Sequence, residues 1–280
     1  MLLKTIAETR EAVRVERAAG KRIALTPTLG ALHEGHLAHV TRAAEIADVR
    51  IVSIFVNPTQ FGDGEDLDKY PRTLDADCDA LGAAGVDYVF APSVSEMYPT
   101  GPTQTVVTAG KIGTLYEGAA RLGHFDGVLT VVAKLLAIVS PDIATFGQKD
   151  AQQLFLVSRM IDDLNIPTRV EIIDTVREHD GLALSSRNRY LDPSQRRAAR
   201  TLSVALEAAA SAADRGIDAT LAAAQGVFMG EPLVTLDYFT IVQPKTFVPV
   251  DDDYRGKAIA IVAATLGGTR LIDNEQIYLN

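Results

Sequence analysis

Cysteine is nearly absent from this chain, since Cys78 is the only one among 280 residues. A single thiol excludes an intramolecular disulfide framework and a cysteine-rich zinc site, and it is typical of a protein in a reducing cytoplasm. Basic residues are also in the minority, with 27 Lys and Arg against 36 Asp and Glu, and the formal charge is −9. That balance argues against a nucleic-acid binder with a broad basic surface and against docking on anionic lipid.

Long apolar runs are scarce as well. The two longest, residues 128–139 and 258–266, are too short to cross a bilayer. Charged side chains spread through residues 4–17 leave no room for the apolar core of a signal peptide. Internal repeats and low-complexity tracts are not visible. We therefore expect a soluble, cytoplasmic protein of one or two domains, without nucleic-acid or membrane partners.

Short apolar runs alternate with helical patterns over the first 170 or so residues. The runs that read as buried strands are residues 23–25, 51–56, 86–90, 143–146 and 170–173. Helical patterns lie between them, at residues 34–47, 74–84, 128–139 and 150–164. This alternation predicts an α/β domain over residues 1–174, with a Rossmann-like, doubly wound parallel sheet. Residues 91–125 carry no pattern that assigns them.

The pattern changes after residue 174. An Asp-Gly pair at residues 180–181 indicates a hairpin turn, and Asp192 followed by Pro193 is typical of a helix start. The predicted elements that follow are helices over residues 193–214 and 218–228, then strands over 234–242, 258–265 and 270–274. Helices followed by antiparallel strands predict a small α+β domain over residues 175–280.

Polar motifs follow three of the predicted strands. They occupy residues 26–36, 57–61 and 147–150. In an open parallel sheet, ligands bind outside the carboxyl ends of the strands, at the point where the strand order reverses. We therefore expect the three motifs to form one crevice.

The first motif combines glycine with histidine at a predicted helix start. Gly30 and Gly35 let the backbone approach a ligand closely, and His33 and His36 are spaced to share a helix face. Free N–H groups and the dipole at a helix start favour phosphate, and an imidazole can donate a proton there. A metal site is the weaker interpretation, because the zinc-protease motif needs histidines at i and i+4. His39 lies further along the helix and is expected to face solvent.

The second and third motifs offer amides and a cation. Asn57 and Gln60 suit a hydroxyl or carboxylate on a small polar substrate, although an Asn-Pro turn with a surface Gln60 would explain them equally well. Lys149 could neutralise a phosphate as a point charge, and Asp150 could be the N-cap of the next helix. Gln153 lies one turn further on and is expected to point back toward the same place.

A fourth segment follows the predicted hairpin. Ser185, Ser186 and Arg187 could form a mobile phosphate clamp, although the same tripeptide also occurs in ordinary loops. Residues 110–112 lack both the upstream glycine and the hydroxyl of a P-loop, so that standard phosphate motif is excluded.

Taken together, the motifs resemble a known family. The strand followed by His-x-Gly-His at a helix start, with a later Ser-rich cationic loop, resembles the nucleotidyltransferase superfamily that includes class I aminoacyl-tRNA synthetases. The match to the pantoate–β-alanine ligase family within it covers most of the chain. The segments that carry this resemblance are residues 27–36, 53–61, 70–73, 124–128, 146–150 and 185–191.

The resemblance implies a reaction and a set of site residues. The reaction is the condensation of pantoate with β-alanine, driven by cleavage of ATP to AMP and pyrophosphate. His36 would be the proton donor, Gln60 and Gln153 would hold pantoate, and Gln60 would also lie near β-alanine. The ATP site would consist of Leu29, Gly30, His33, His36, Gly147, Gln148, Lys149, Asp150, Val176, Leu184, Ser185, Ser186 and Arg187.

Four positions depart from the usual residues of the family. Leu29 and Leu184 replace Met, Gln148 replaces a frequent Glu, and Ala151 replaces a frequent aromatic residue. None of these changes removes a proposed catalytic group, and the Met-to-Leu changes conserve volume. The family also implies a homodimer and Mg²⁺ with ATP, for which we assign no protein ligands.

The chemistry of the residues agrees with that reaction. A carboxylate attacking the α-phosphate would build charge that His33, His36, Lys149 and Arg187 could stabilise together with Mg²⁺. No enzyme nucleophile is needed, and we expect the second domain to close over ATP as a lid. We also include Asn57 as a substrate-binding residue, because of its amide side chain and not because of the resemblance. The alternatives are an adenylyltransferase of the same fold and a non-catalytic nucleotide sensor.

Overall fold

A computed structural model describes residues 1–62, 65 and 67–280 of the chain. The chain divides into two compact units. Unit 1 comprises Met1–Gly147 and Leu156–Ile173, and unit 2 comprises Gln148–Phe155 and Asp174–Asn280.

Unit 1 contains a six-stranded sheet in which all strand pairs are parallel. Its strands are β1 (Leu2–Leu3), β2 (Ile23–Thr28), β3 (Val49–Ile54), β4 (Tyr88–Phe90), β5 (Ile143–Gly147) and β6 (Arg169–Ile173), and their spatial order is β1-β4-β3-β2-β5-β6. From β2 the chain continues outward through β3 and β4, whereas β5 and β6 extend the sheet on the other side. The strand order therefore reverses between β2 and β5, where ligands bind in such sheets.

Helices connect these strands. They are α1 (Ile6–Ala18), α2 (Glu34–Ile46), α3 (Leu74–Ala83), α4 (Val94–Met97), α5 (Glu117–Ala120), α6 (His124–Val139) and α7 (Ala151–Asp163), of which α7 begins in unit 2 and ends in unit 1. The central strands are buried on both faces, since Ile23 and Leu25 on one face and Ala24 and Val52 on the other are at most 1% exposed. Their β-branched and leucine side chains form near-continuous apolar runs, as expected for parallel strands covered by helices.

Unit 2 contains an antiparallel sheet of β7 (Thr235–Val242), β8 (Gly256–Leu266) and β9 (Thr269–Leu279). Its helices are α8 (Pro193–Ala198), α9 (Thr201–Ala212) and α10 (Ile217–Met229). Leu202 and Leu206 of α9 pack in one apolar cluster with inward-facing residues of the sheet. The amphipathic helices and the sheet thereby cover each other's apolar faces.

The predicted α/β class with a doubly wound parallel sheet and a smaller antiparallel sheet is confirmed. The helix predicted over residues 193–214 is divided into α8 and α9, and residues 91–125 contain α4 and α5. The Asp-Gly turn is present, because Arg177 and Ala183 form an antiparallel bridge on either side of it. Within the described residues, no helix is long and apolar enough to cross a membrane.

Candidate active site

The loop between β2 and α2 turns sharply through two residues with left-handed backbone angles, Gly30 at φ 83° and Ala31 at φ 52°. A Cβ atom on Gly30 would lie 3.0 Å from Cγ2 of Ile54 and 3.1 Å from Oδ2 of Asp77. Only glycine can adopt the left-handed backbone angle at residue 30 and also fit this close to Ile54 and Asp77 without strain. The Gly30 that the sequence marks for close approach is therefore needed by the loop itself.

Asp77 of α3 anchors this loop. Its Oδ2 accepts hydrogen bonds from the Ala31 N–H at 3.0 Å and from Oγ1 of Thr73 at 3.1 Å, and its Oδ1 accepts from the Leu32 N–H at 2.9 Å. The residue is 4% exposed. A buried carboxylate is tolerated when hydrogen bonds compensate its lost hydration, and here three donors do so.

The two histidines of the motif lie together at the start of α2, and both are half-buried. His33 is the N-cap in an extended conformation, and its ring centroid is 4.0 Å from that of His36. The backbone N–H of His33 donates to Nδ1 of His36 at 3.3 Å. Because an N–H group only donates, Nδ1 of His36 is the acceptor and a neutral ring carries its proton on Nε2.

The prediction that His39 faces solvent is wrong. Its Nδ1 lies 3.0 Å from Oγ1 of Thr145 on β5, and that hydroxyl lies 2.8 Å from Oγ1 of Thr26 on β2. A Cβ on Gly147 would lie 3.3 Å from Nε2 of His39. His39 therefore packs against the end of β5, because α2 lies on the sheet with this face and the strand supplies a hydroxyl partner.

Asn57 follows β3 and is fully buried, at 0% exposure. Its Oδ1 accepts from the Tyr98 hydroxyl at 2.7 Å and from Oγ1 of Thr59 at 3.0 Å. Its Nδ2 donates to Oε1 of Gln60 and to the carbonyl oxygen of Gly127, both at 3.2 Å. Burial raises the pKa of the Tyr98 phenol, which keeps that donor protonated. The Asn57 amide thus holds Gln60, which is itself 7% exposed.

A second network holds the backbone of Gln60. Nδ1 of His124 lies 2.8 Å from the Gln60 carbonyl oxygen, and Nη1 of Arg121 lies 2.9 Å from Nε2 of His124. A carbonyl only accepts and a guanidinium only donates, so this ring is neutral with its proton on Nδ1. Glu65 pairs with Arg121 through two bonds of 2.6 and 3.1 Å. Burial has the largest single effect and raises the pKa of Glu65, but the hydrogen bonds and the charge of Arg121 act with other nearby groups to outweigh it, and the pKa is lowered.

Close backbone packing completes this arrangement. A Cβ on Gly127, in the first turn of α6, would lie 2.2 Å from the Thr59 carbonyl oxygen and 2.8 Å from Cα of Gln60. The helix can approach the Thr59–Gln60 backbone only because this residue has no side chain. Sequence reasoning did not assign roles to Arg121, His124 or Gly127, although residues 124–128 are among the segments that carry the family resemblance.

In unit 2, the segment before α7 carries Lys149 and Asp150. Nζ of Lys149 lies 3.8 Å from Oδ1 of Asp150, and its side chain is 21% exposed. The Asp150 carbonyl accepts the N–H of Leu154, as in the first turn of a helix. Gln153 is half-buried in that turn. The expected order of strand, cation and helix start is present here.

The predicted clamp also lies in unit 2. The Leu184 N–H donates to the Val176 carbonyl at 2.9 Å, so the two residues face each other across the hairpin. Oγ of Ser185 accepts the N–H of Arg187 at 3.3 Å and begins the 3₁₀ turn Ser186–Tyr190. The turn presents Ser186 and Arg187 as half-buried side chains.

The structure therefore places the predicted residues in two groups. Unit 1 brings the loop of residues 29–36 beside residues 57–60, because β2 and β3 are neighbours with Thr28 opposite Ile54. Gly147 ends β5, the other neighbour of β2. Unit 2 contains the remaining residues, 148–153 and 176–187. Among the described residues, no three His, Cys, Asp or Glu side chains are grouped as a metal site requires.

Comparison with known proteins gives consistent matches. A family model described as pantoate-beta-alanine ligase matches residues 1–276. The chain is 55% identical to the pantothenate synthetase of Leifsonia xyli subsp. xyli over 278 residues, which cover 99% of this chain and 96% of that protein. It is 49% identical to the pantothenate synthetase of Paenarthrobacter aurescens, with 99% and 100% covered.

Solved structures agree with these matches. The crystal structure of pantothenate synthetase from Thermus thermophilus is similar with a TM-score of 0.93, at 46% identity and with 99% of both chains covered. A pantoate-beta-alanine ligase from Francisella tularensis, complexed with beta-gamma ATP and beta-alanine, has a TM-score of 0.80 at 31% identity, with 98% of this chain and 97% of that chain covered.

Proposed function

The chain belongs to the pantoate–β-alanine ligase family, and from this premise we propose that it condenses pantoate with β-alanine in an ATP-dependent reaction that releases AMP and pyrophosphate. The relatives named pantothenate synthetase share about half of their residues with the chain over nearly its whole length. The similar Francisella tularensis structure was determined with beta-gamma ATP and beta-alanine, two of the ligands that the reaction requires.

The observation that carries the proposal is the donor geometry at the start of α2. Nδ1 of His36 is held by the His33 N–H, so Nε2 is the donor of a neutral ring. The ring lies at a helix N-terminus, where N–H groups and the dipole favour phosphate. The neighbouring strand end supplies the buried amides of Asn57 and Gln60. A phosphate site beside a site for a small polar acid is what adenylation of pantoate requires.

In the first step, a carboxylate oxygen of pantoate attacks the α-phosphorus of ATP. The bond from that phosphorus to the bridging oxygen breaks, which gives pantoyl adenylate and pyrophosphate. Charge that develops on the phosphate oxygens is stabilised by donors already in place, for which we propose His33, His36, Lys149 and Arg187. No covalent bond to the enzyme is formed.

In the second step, the amine nitrogen of β-alanine attacks the acyl carbon of the adenylate. The bond from that carbon to the AMP oxygen breaks, the nitrogen loses a proton, and pantothenate and AMP are released. We propose that Gln60 and Gln153 hold pantoate and that Gln60 also lies near β-alanine. Because Oε1 of Gln60 accepts from Asn57, its Nε2 is the group it would offer to a substrate carboxylate or hydroxyl.

The contacts of Asn57 support an indirect role in substrate binding. Its side chain is fully buried and already bonded to Gln60, Tyr98 and Gly127. We propose that it acts on pantoate through Gln60. This indirect role replaces the direct substrate contact that its chemistry alone suggests.

The proposed ATP site follows the family resemblance. It comprises Leu29, Gly30, His33, His36, Gly147, Gln148, Lys149, Asp150, Val176, Leu184, Ser185, Ser186 and Arg187. Mg²⁺ would accompany the triphosphate and neutralise part of its charge. We assign it no protein ligand, because the described residues contain no group of three His, Cys, Asp or Glu side chains that could hold a metal ion.

Three further properties remain part of the proposal. The family resemblance supports a homodimer, and the single cysteine supports a cytoplasmic location. The change of sequence pattern after residue 174 supports two domains, residues 1–174 and 175–280, and we propose that the second acts as a lid that closes on ATP. Exclusion of water by such a lid would protect the adenylate from hydrolysis.

The test is pyrophosphate release with ATP, pantoate and β-alanine, each omitted in turn. Release should require both ATP and pantoate, whereas formation of pantothenate should also require β-alanine. Release that ignores pantoate would contradict the proposal and favour an adenylyltransferase, and no release would favour a nucleotide sensor.

The same assay tests the donors. His36→Ala and Lys149→Ala should each lower turnover by about 10²–10³-fold, as for the loss of one oxyanion-type donor. The matched controls are His179→Ala and Lys245→Ala, which remove exposed side chains of the same types. Folded His36 and Lys149 variants that turn over as fast as these controls would show that the phosphate-stabilising assignment is wrong.

A further inference from the structure

Strand β9 carries two adjacent buried polar residues, Asp273 and Asn274, each 3% exposed. Successive side chains of a strand face opposite sides of the sheet. Asp273 shares its side with Leu271 and Ile277, which belong to the apolar core of unit 2. Asn274 is on the other side, where its neighbour Gln276 is exposed. Asn274 must therefore be covered locally by something other than the core.

The cover is the segment before α7. Nδ2 of Asn274 donates to the carbonyl oxygen of Gln148 and to that of Lys149, both at 2.9 Å. Two consecutive carbonyl groups can only accept, so both hydrogens of the amide are committed to this backbone. The interaction joins residues that are 126 and 125 positions apart in the chain.

Asp273 makes the matching connection to the hairpin. Its two oxygens accept from Nη1 and Nη2 of Arg177, at 2.6 and 3.0 Å, and its Oδ1 also accepts the Asn274 N–H at 2.8 Å. Arg177 follows Val176 in the hairpin, and its Nη1 also donates to the Gly181 carbonyl. A bidentate pair of this kind fixes geometry as well as adding energy.

Ordinary strand packing does not explain this pair. Asn and Asp are depleted in strands, and burial of an amide or a carboxylate is costly unless its hydrogen bonds are made. At these two positions, the carboxylate of Asp273 and Nδ2 of Asn274 bond to two segments that carry residues of the proposed ATP site, whereas Oδ1 of Asn274 has no hydrogen-bond partner among the described residues. A β-branched residue would serve the strand better, so we attribute the pair to positioning of those segments.

We propose that Asn274 is a positioning residue for Lys149, and that Asp273, through Arg177, positions the hairpin that carries Val176 and Leu184. Asn274 fixes the backbone from which the Lys149 side chain extends. Loss of the two bonds would let that backbone shift, and a displacement of about 1 Å is enough to lower a rate by about 10²-fold. The proposal rests on the proposed function, which gives Lys149 its role at the phosphates.

The test compares Asn274→Asp and Asn274→Ala with Gln276→Ala, which removes an exposed amide from the same side of the same strand. We expect both Asn274 variants to lower kcat/KM for ATP by about 10–100-fold. The KM for β-alanine should stay within about twofold of the wild-type value, and Gln276→Ala should behave as the wild type. Thermal unfolding establishes that each variant is folded. If one of the two Asn274 variants is unstable, the one that remains folded decides.

A double-mutant cycle with Lys149→Ala separates positioning from a general structural effect. If Asn274 acts through Lys149, Asn274→Asp should cost less than about twofold once Lys149 is replaced, because residues that act as one unit are not additive. A full, additive loss in that background would overturn the proposal. So would folded Asn274 variants with wild-type kcat and KM for ATP.

Failure of the proposed function can be distinguished from failure of the positioning role. In that case the wild type itself would show no pantoate-dependent pyrophosphate release. Calorimetric titration with ATP would then test the positioning role without turnover. Weaker ATP binding by Asn274→Asp than by Gln276→Ala would support it, and equal affinity would overturn it.

Discussion

In each unit, a buried side chain anchors the segment before a helix through two consecutive backbone groups. The anchor in unit 1 accepts its hydrogen bonds, whereas the anchor in unit 2 donates them. In unit 1, the carboxylate of Asp77 accepts from the consecutive N–H groups of residues 31–32. In unit 2, the amide of Asn274 donates to the consecutive carbonyl groups of residues 148–149. Each anchor is buried, and each lies on another element far along the chain.

The difference follows from the backbone of each loop. The loop before α2 turns through left-handed conformations and directs N–H groups inward, so it needs an acceptor, and an anion is favoured beside a helix N-terminus. The segment before α7 directs carbonyl groups inward and needs a donor. Hydrogen bonds to a charged group are roughly twice as strong as neutral ones. We therefore expect unit 1 to depend more on its anchor for stability than unit 2 does.

The largest effect should come from Asp77→Ala. It removes three hydrogen bonds and leaves the N–H groups of buried Ala31 and half-buried Leu32 without their acceptor, which should lower the free energy of unfolding by about 3–5 kcal/mol. Chemical denaturation of this variant and of Asp79→Ala, an exposed carboxylate on the same helix, measures the difference. A loss no larger than that of Asn274→Ala would contradict the ranking of the two anchors.

Two glycine-to-alanine substitutions, one in each unit, are expected to change the free energy of unfolding in opposite directions. Gly127→Ala should destabilise by about 1–3 kcal/mol, because its Cβ would lie 2.2 Å from the Thr59 carbonyl oxygen, and displacement of Gln60 should raise the KM for pantoate. Gly226→Ala in α10 of unit 2 meets open space among the described atoms and should stabilise by about 0.5–1 kcal/mol. Thermal unfolding and pantoate kinetics of both variants check this. If both substitutions stabilised the protein, the close approach of α6 to the Thr59–Gln60 backbone would not be required.

The smallest expected effect is the loss of stability at low pH. Hydrogen bonds from Arg196, against a lesser opposing effect of burial, lower the pKa of Asp180 in unit 2 to about 2. An unfolded aspartate has a pKa of about 3.9, so the contribution of Asp180 is present above pH ~4 and is lost as the pH falls toward 2. Because the pair is partly exposed, the contribution should be less than about 1 kcal/mol.

Unfolding of Asp180→Asn and the wild type measured from pH 7 to pH 3 tests this expectation. The difference between them should narrow below pH 4, whereas Asp252→Asn, an exposed carboxylate in a turn of unit 2, should show no such trend. A constant difference over the range would show that Asp180 contributes through its shape rather than its charge.

Local patterns predicted unit 1 well. The helix predicted over residues 34–47 is observed at Glu34–Ile46, and the one over 74–84 at Leu74–Ala83. These elements have apolar periodicity and clear ends, and both signals are local. Helix α1 was not predicted, although Thr5 and Glu8 form a capping box at its start. That signal was present in the sequence and could have been used.

The candidate site was predictable only in part. His33, His36, Gln60 and Lys149 could be named because motifs that follow strands place chemistry at the edge of a sheet. Arg121 and His124 were missed because their partner is the Gln60 backbone, which no side-chain pattern reports. His39 was placed in solvent because its partner, the Thr145 hydroxyl, lies 106 positions away and is not visible to a local pattern.

By itself, the sequence determined the α/β class and several helix starts, and it named the residues that we propose bind phosphate, because periodicity, capping and motif chemistry act over a few neighbouring residues. Only the tertiary structure decided which side chains hold those residues in place. Asp77 meets its loop across 46 and 45 positions, and Asn274 meets its segment across 126 and 125. Such partners are chosen by how the strands and helices pack, because a buried polar group is stable only where the fold brings it a complementary group.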